Sequence, residues 1–564
     1  MNFNDFPYTR PNMEEITVKS KTIFNQMQEA KSKEEFLLKM SEFNEIRLHV
    51  DSMLNLVYIR HSIDTRDEFY GKENDYMDMN SPRFQELQTE FYKIILGSPY
   101  KEAVDAKYGE HFTNLVELSI KTFKPEIIED LQKENKLTST YNKLVASANI
   151  MFEGEELNLS GLIPFMEHED RAMRKRASEA YFGFFSENEK TFDDLFDELV
   201  QVRTKMAKTL GYDNYSLMAY DGLLRTEYGP EEVKGYRESI LKNVTPLATS
   251  LRERQRERLG LDKLMYYDET FSFTTGNAKP KGDAEWIINH GKTMYEELSK
   301  ETHEFFTFMN ERNLLDLVTK KGKEAGGYCT YIPEFKAPFI FSNFNGTSGD
   351  IDVLTHEAGH AFQVFSSRGF DLPEYHFPTY EACEIHSMSM EFFAYPWMEN
   401  FFEEDTKKYK YSHLEGTLFF LPYGAAVDEF QHFVYENPNK TPKERRAQWR
   451  EIEKKYLPSR DYGDHDFLNQ GGFFFRQQHI FNSPFYYIDY TLAQVCALQY
   501  YVKTQENSEK AWNQYVELCK LGGSKPFLKL VEFAGLENPF MADTLPAIMP
   551  KIKEELDNID DKNL

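Results

Sequence analysis

The run Thr355-His356-Glu357-Ala358-Gly359-His360 decides how the rest of the chain is read. Residues four apart share one face of a helix, so His356 and His360 offer two imidazoles toward one point while Glu357 projects beside them. Neutral imidazoles are good ligands for Zn²⁺, and the metal lowers the pKa of a bound water from roughly 15.7 to about 7. Glu357 would then take the water's proton. The flanks read as helix: Ser348, Gly349 and Asp350 at the start, an apolar stripe of Val353, Leu354, Ala361, Phe362 and Phe365, and Arg368-Gly369 as a stop. A packed or surface pair of histidines fits the same five residues, so a third ligand has to separate the two readings.

The next helical stretch, Thr379 to Ala394, follows Pro378 and stops before Pro396. Within it Glu384, Ser387, Met388 and Glu391 fall at i, i+3, i+4 and i+7, with Glu381 one turn earlier, so three carboxylates are expected on one face. Like charges gathered there call for a counter-charge. A divalent cation and its imidazoles provide one, with Glu384 as third ligand and Glu381 or Glu391 orienting the rings. The competing reading is a solvated acidic face.

His356-Glu357-Ala358-Gly359-His360, followed after a loop by Glu384-Ile385-His386-Ser387-Met388-Ser389-Met390-Glu391, resembles the paired signature of the thimet oligopeptidase and oligoendopeptidase F family of zinc peptidases. The resemblance implies Glu384 as third zinc ligand and one Zn²⁺ per chain. The second segment is closer to the bacterial oligoendopeptidase F branch, and points toward a Pz-peptidase acting on collagen-derived peptides containing Pro and Gly. It further implies a mainly α, zincin-like fold with a small β-sheet beside the zinc helix and a deep central channel that admits short peptides.

A second informative stretch is Gly471 to Tyr490, rich in Gly and aromatics. Peptide hydrolysis builds negative charge on the carbonyl oxygen, and Tyr hydroxyls or a His can donate to it. His479 followed by clustered Tyr resembles the family's His and Tyr group facing the zinc, although the spacing to the last Tyr is one residue shorter than in the thimet oligopeptidase branch. His479, Tyr490 and Tyr487 are the expected oxyanion group, with Tyr486 as the alternative and as a substrate contact.

The best strand candidates, Gly326 to Tyr331 and Ala337 to Phe344, lie just before the His356 helix. An open strand edge there holds a peptide in extended form through backbone hydrogen bonds. Phe341, Asn343 and Gly346 are the substrate contacts expected from this stretch.

The 564 residues exceed one ordinary domain, and two are expected: a helical part over 1–150 and a catalytic part over 151–564, joined near a short hairpin around Gly154. Phe36, Met40, Phe43, Ile46 and Val50 mark core spacing in the first part, with breaks near Gly97-Ser98-Pro99 and Gly109. The basic cluster Arg171 to Ala177 reads as a solvated helix face. A formal charge of -27 argues against nucleic acid and anionic membranes as partners. No run approaches the roughly 20 apolar residues of a membrane span, and the first residues lack a signal peptide's pattern. The four scattered cysteines read as reduced thiols, so a cytoplasmic protein is expected. Oligomeric state is not legible. Two other readings stay open, a zinc carboxypeptidase on a similar helical body and a non-catalytic peptide-binding protein.

Overall fold

A computed structural model describes all residues, 1–564. It contains 24 α-helices and five short strands, which matches the mainly helical architecture expected. The first helices, Met13–Glu29, Lys33–Ile63 and Glu68–Gly97, begin where Asn12, Ser32 and Asp67 turn side-chain oxygens onto backbone N–H groups of the first turn. Phe36, Met40, Phe43 and Val50 are buried as their spacing required, against Phe24 and Phe91. This smaller core gathers residues between Ile16 and Val116, together with Leu372 and Tyr375. Phe123, Ile127, Leu137 and Tyr141 belong to the larger core, as do Met53, Leu56, Val57, Ile59 and Met77, so the first helices are shared between the two cores. Phe3 and Phe6 also cross over, packing on Phe339 and Phe335 of the catalytic part.

The hairpin lies where expected, with β1 (Ile150–Phe152) antiparallel to β2 (Glu155–Leu157). Beyond it, the cluster at Arg171 departs from the solvated face expected of it. Arg171 and Arg174 both reach Asp268, and Arg174 is buried, so part of the cluster is a structural ion-pair knot between the helix Arg171–Glu187 and the segment near residue 268.

Three strands form the sheet beside the site: β3 (Leu315–Val318), β4 (Tyr328–Ile332) and β5 (Ala337–Phe344), in the order β3-β5-β4. β3, too short to show a period in the sequence, runs parallel to β5, whereas β4 is antiparallel to it. β5 is therefore the central strand, almost wholly buried, and β3 and β4 are the two edges. The chain then enters the helix Gly349–Ser367, crosses to Tyr380–Phe393, and later returns along Tyr487–Leu521. Gly359 makes the first crossing possible. A Cβ there would lie 2.6 Å from the backbone of His386 and Ser387, so only Gly lets the two helices approach this closely.

No helix is long and apolar enough to cross a membrane.

Candidate active site

The two crossing helices bring His356, His360 and Glu384 together. Nε2 of each histidine lies 3.2 Å from the same Glu384 oxygen, and one ligand atom from each of the three residues lies within 4.8 Å of the others. Glu384 is fully buried. Burial works against its charge, but His360 and His356 hold its carboxyl well below the usual carboxylate range. An ionised carboxylate this deep, facing two imidazoles, requires positive charge between them.

The residues of the helix Tyr380–Phe393 from Glu381 to Phe393 are all buried, which excludes a solvated acidic face. The three carboxylates nevertheless do not share one task. One oxygen of Glu391 is 2.7 Å from His356 Nδ1 and the other 2.7 Å from His413 Nε2, and His413 Nδ1 is 2.7 Å from the Tyr395 hydroxyl. Glu391 thus fixes the ring of His356, leaving Nε2 free for a metal. Glu381 does not do so. It is buried facing Arg225, Tyr228 and Thr379, in a cluster with Asp489, and burial raises its pKa. The sequence suggested neither His413 nor Arg225, because each joins the site from a distant element with no local spacing to announce it.

Glu357 lies beside this cluster at the wall of a cavity of about 720 Å³. Burial raises its pKa against the pull of the two histidines, and its Oε2 has no hydrogen-bond partner in the protein. Gly327 abuts it, since a Cβ at that position would meet a Glu357 oxygen at 3.4 Å and Val353 at 3.0 Å. His386, next to the motif, bonds Ala382 of its own helix and is pushed down to about 4 by burial, so it is packed as a neutral ring. Cys383 likewise donates to the Pro378 carbonyl at 3.2 Å and takes no part in the cluster.

His479, Tyr486 and Tyr490 face the cluster across the cavity. His479 Nε2 is 3.2 Å from the Tyr490 hydroxyl, and burial pushes the ring down to about 4, so it is a neutral donor at neutral pH. Gln477 Nε2 reaches His479 Nδ1 at 2.9 Å, which leaves the proton on Nε2, toward the cavity. Tyr486 donates to Glu384 Oε1. Burial and Glu384 hold both tyrosines well above their ordinary pKa, so the hydroxyls keep their protons.

Tyr487 is a correction. Its ring lies 4.9 Å from that of His479 and 5.8 Å from those of Phe420 and Tyr423, but it does not line the cavity. The helix begins at Tyr487; Tyr486 and Tyr490, four residues apart, meet at 4.8 Å on the cavity wall, and the Tyr487 ring packs against Tyr490 at 5.5 Å without reaching the cavity.

Phe341, Asn343 and Gly346 are corrections too, because they belong to the central strand and the turn after it. Phe341 is fully buried and stacks on Tyr328. Asn343 donates to the carbonyls of Glu324 and Gly326, and the Gly346 N–H donates to Asp350. The edge beside the cavity is β4 instead. Ile340 turns its N–H to Leu314, away from β4, so its partner Cys329 turns its own peptide groups outward. Tyr331, of the same parity, has its carbonyl capped by Asn55. Gly327 and Cys329 are left presenting N–H and C=O to the cavity.

Residues 3–123 match the peptidase M3 N-terminal domain and residues 164–550 match peptidase family M3. The chain belongs to peptidase family M3. It is accordingly a metallo-oligopeptidase. The oligoendopeptidase F homolog of Borreliella burgdorferi is 25% identical over 435 residues, spanning 72% of this chain and 71% of that protein. Oligopeptidase PepF of Bacillus subtilis is 21% identical over 424 residues, 72% of this chain and 60% of the relative. Among solved structures, Pz peptidase A with an inhibitor superposes with a TM-score of 0.99 at 54% identity, covering 99% of this chain and all of that one.

Proposed function

We propose that this M3 peptidase is a zinc-dependent endopeptidase of short oligopeptides, in which His356, His360 and Glu384 hold one Zn²⁺ and Glu357 is the general base. The observation that carries the reading is the convergence of both Nε2 atoms on one Glu384 oxygen, 3.2 Å from each, beside a carboxylate with an unpartnered oxygen. Three protein ligands with no fourth suit a catalytic site rather than a closed structural one. Zinc bound there supplies Lewis acidity and brings the pKa of water near 7.

The chain's own residues do the rest. Glu357, its basicity raised by burial, accepts the proton of the attacking water and passes it to the leaving amine. His479 Nε2–H and the Tyr490 hydroxyl donate toward the carbonyl oxygen as it becomes negative, while the Tyr486 hydroxyl keeps its donation to Glu384 Oε1. Gly327 and Cys329 of the β4 edge align the peptide in extended form.

A carboxypeptidase needs a cation for the terminal carboxylate, and no Lys or Arg lines the cavity, so the geometry favours internal cleavage. The tilted rings of Tyr380 and Tyr486, 4.3 Å apart on the cavity wall, offer an aromatic surface of the kind on which proline-rich segments dock. We therefore include Pro- and Gly-containing, collagen-type peptides among the substrates.

Zinc-loaded protein incubated with a mixed library of short peptides, with products identified by mass, tests the assignment. Internal cuts are expected, enriched in Pro- and Gly-containing members; removal of one terminal residue at a time would sink it. The role given to Glu391 has its own test. Glu391→Gln is expected to weaken zinc binding about 10- to 100-fold, read by competition with a chelator, while the apo-protein keeps its fold. Unchanged affinity would remove Glu391 from the site.

A further inference from the structure

We infer that Glu324 forms a subsite for a positively charged group of the substrate, so that this peptidase prefers peptides carrying a lysine or arginine side chain, or a free amino terminus, close to the cut. The inference rests on the endopeptidase reading above.

Glu324 lines the same cavity as Glu357 and the histidines, yet the chemistry does not use it. Four carboxylates line that cavity. Glu384 and Glu357 belong to the catalytic group, and Glu374 is bound by Arg47 and Tyr92. Outside the catalytic group, Glu324 is the cavity carboxylate with no hydrogen bond to its side chain and no ion pair, although it is only 4% exposed. Burial pushes its carboxyl up to about 7, with no counter-charge to pull it back. The neighbouring Lys323 turns the other way, onto Asp316 and the Val318 carbonyl.

The main chain that carries Glu324 is held in place. The Glu324 N–H donates to the Ser62 carbonyl at 2.8 Å, and its own carbonyl accepts from Asn343 at 2.9 Å. The Thr65 N–H bonds the Gly322 carbonyl at 2.8 Å, which ties the same loop to the helix end at Ile63. A buried acid pinned from both sides, open only to the cavity, gains a partner when a cation enters. Its position limits which substrate atoms it meets. Glu324 stands three residues before Gly327, hence within about 10 Å of the point where β4 abuts Glu357, or roughly three residues of an extended peptide. No Lys or Arg side chain competes for it within the cavity.

The test is a family of quenched peptides of one sequence, in which a single lysine or its uncharged isostere norleucine is moved through the three positions on each side of the cut. A parallel set has a free or an acetylated amino terminus. Wild-type protein is expected to show kcat/KM about 10- to 100-fold higher for lysine than for norleucine at one position, carried by KM. In Glu324→Gln the lysine-to-norleucine ratio at that position is expected to fall toward one. A preference that follows the acetylated set instead identifies the amino terminus as the group bound. Wild-type cleavage with no lysine preference at any position and no effect of acetylation overturns the inference while leaving the endopeptidase intact, and requires no variant to fold. A preference that survives in a folded Glu324→Gln protein overturns it as well. Failure of wild type to cut any member overturns the endopeptidase reading itself, and this inference with it.

Discussion

Glu357→Gln is expected to bind zinc as the parent does and to cleave peptides about 10²- to 10⁴-fold more slowly, the usual contribution of a positioned general base. The substitution keeps the shape of the side chain and removes its basicity. Metal binding survives because the converging atoms come from His356, His360 and Glu384, and Glu357 adds none. The loss falls on kcat, since Glu357 acts on the water and its removal leaves the β4 edge untouched. Metal content measured beside steady-state kinetics checks both halves. Full activity in a zinc-replete variant would remove Glu357 from the mechanism, and loss of zinc would show that it serves the metal instead.

The second large effect concerns a residue well behind the site. Arg225 and Asp489 form an ion pair whose side chains are both fully buried. The same guanidinium donates to the carbonyl of Phe485 at 2.7 Å, while the Phe485 N–H donates to Gln431 at 2.8 Å. Phe485 has φ 68°, a left-handed conformation that a bulky residue adopts only when its surroundings impose it. That twist delivers Tyr486 to Glu384. Arg225→Met is therefore expected to cost about 3–5 kcal/mol of stability at neutral pH, because Asp489 is left buried without a partner, and to lower kcat through the displaced tyrosines.

The pH dependence has a definite sign. Burial holds Asp489 well above its usual range and raises Glu381 too, both opposed by Arg225. Above about pH 4 the native protein thus keeps protons that the unfolded chain has released, and these groups lose stability as pH rises through their folded values. Without Arg225 both carboxyls rise further. The deficit of the variant should be largest at pH 8 and shrink toward pH 5, read as the gap in unfolding temperature between the two proteins. A gap that is constant or widens in acid would remove the buried carboxylates from the explanation.

The features legible in the sequence were those in which chemistry and local geometry coincide. His356, Glu357 and His360 are four residues of one helix, and Glu384 lies on the next, so a period of 3.6 sufficed to bring them forward. Glu391 and Glu381 had the same period and could not be told apart, because the difference is made by His413 on one side and Arg225 on the other. The choice between Tyr486 and Tyr487 turned on the residue at which a helix begins, a boundary that composition does not fix. Phe341, Asn343 and Gly346 were expected at the substrate because they lie in the strand nearest the motif. Strand order is a long-range property, and β3, four residues long, converts that strand from an edge into the centre of the sheet.

The parity of β4 imposes a grammar on what the enzyme reads. Gly327 and Cys329 present peptide groups at every second position, and a peptide laid beside them answers with its own N–H and C=O at alternate residues only. Proline has no N–H to give. It is neutral at residues that face away from the edge and a missing bond at those that face it. Two prolines an even number of residues apart therefore count as one case, and an odd spacing always puts one of them on the wrong side. If peptides bind along this edge as proposed, the order in which a proline-rich one comes apart would be set by where its prolines fall relative to one another, before any side-chain pocket is consulted.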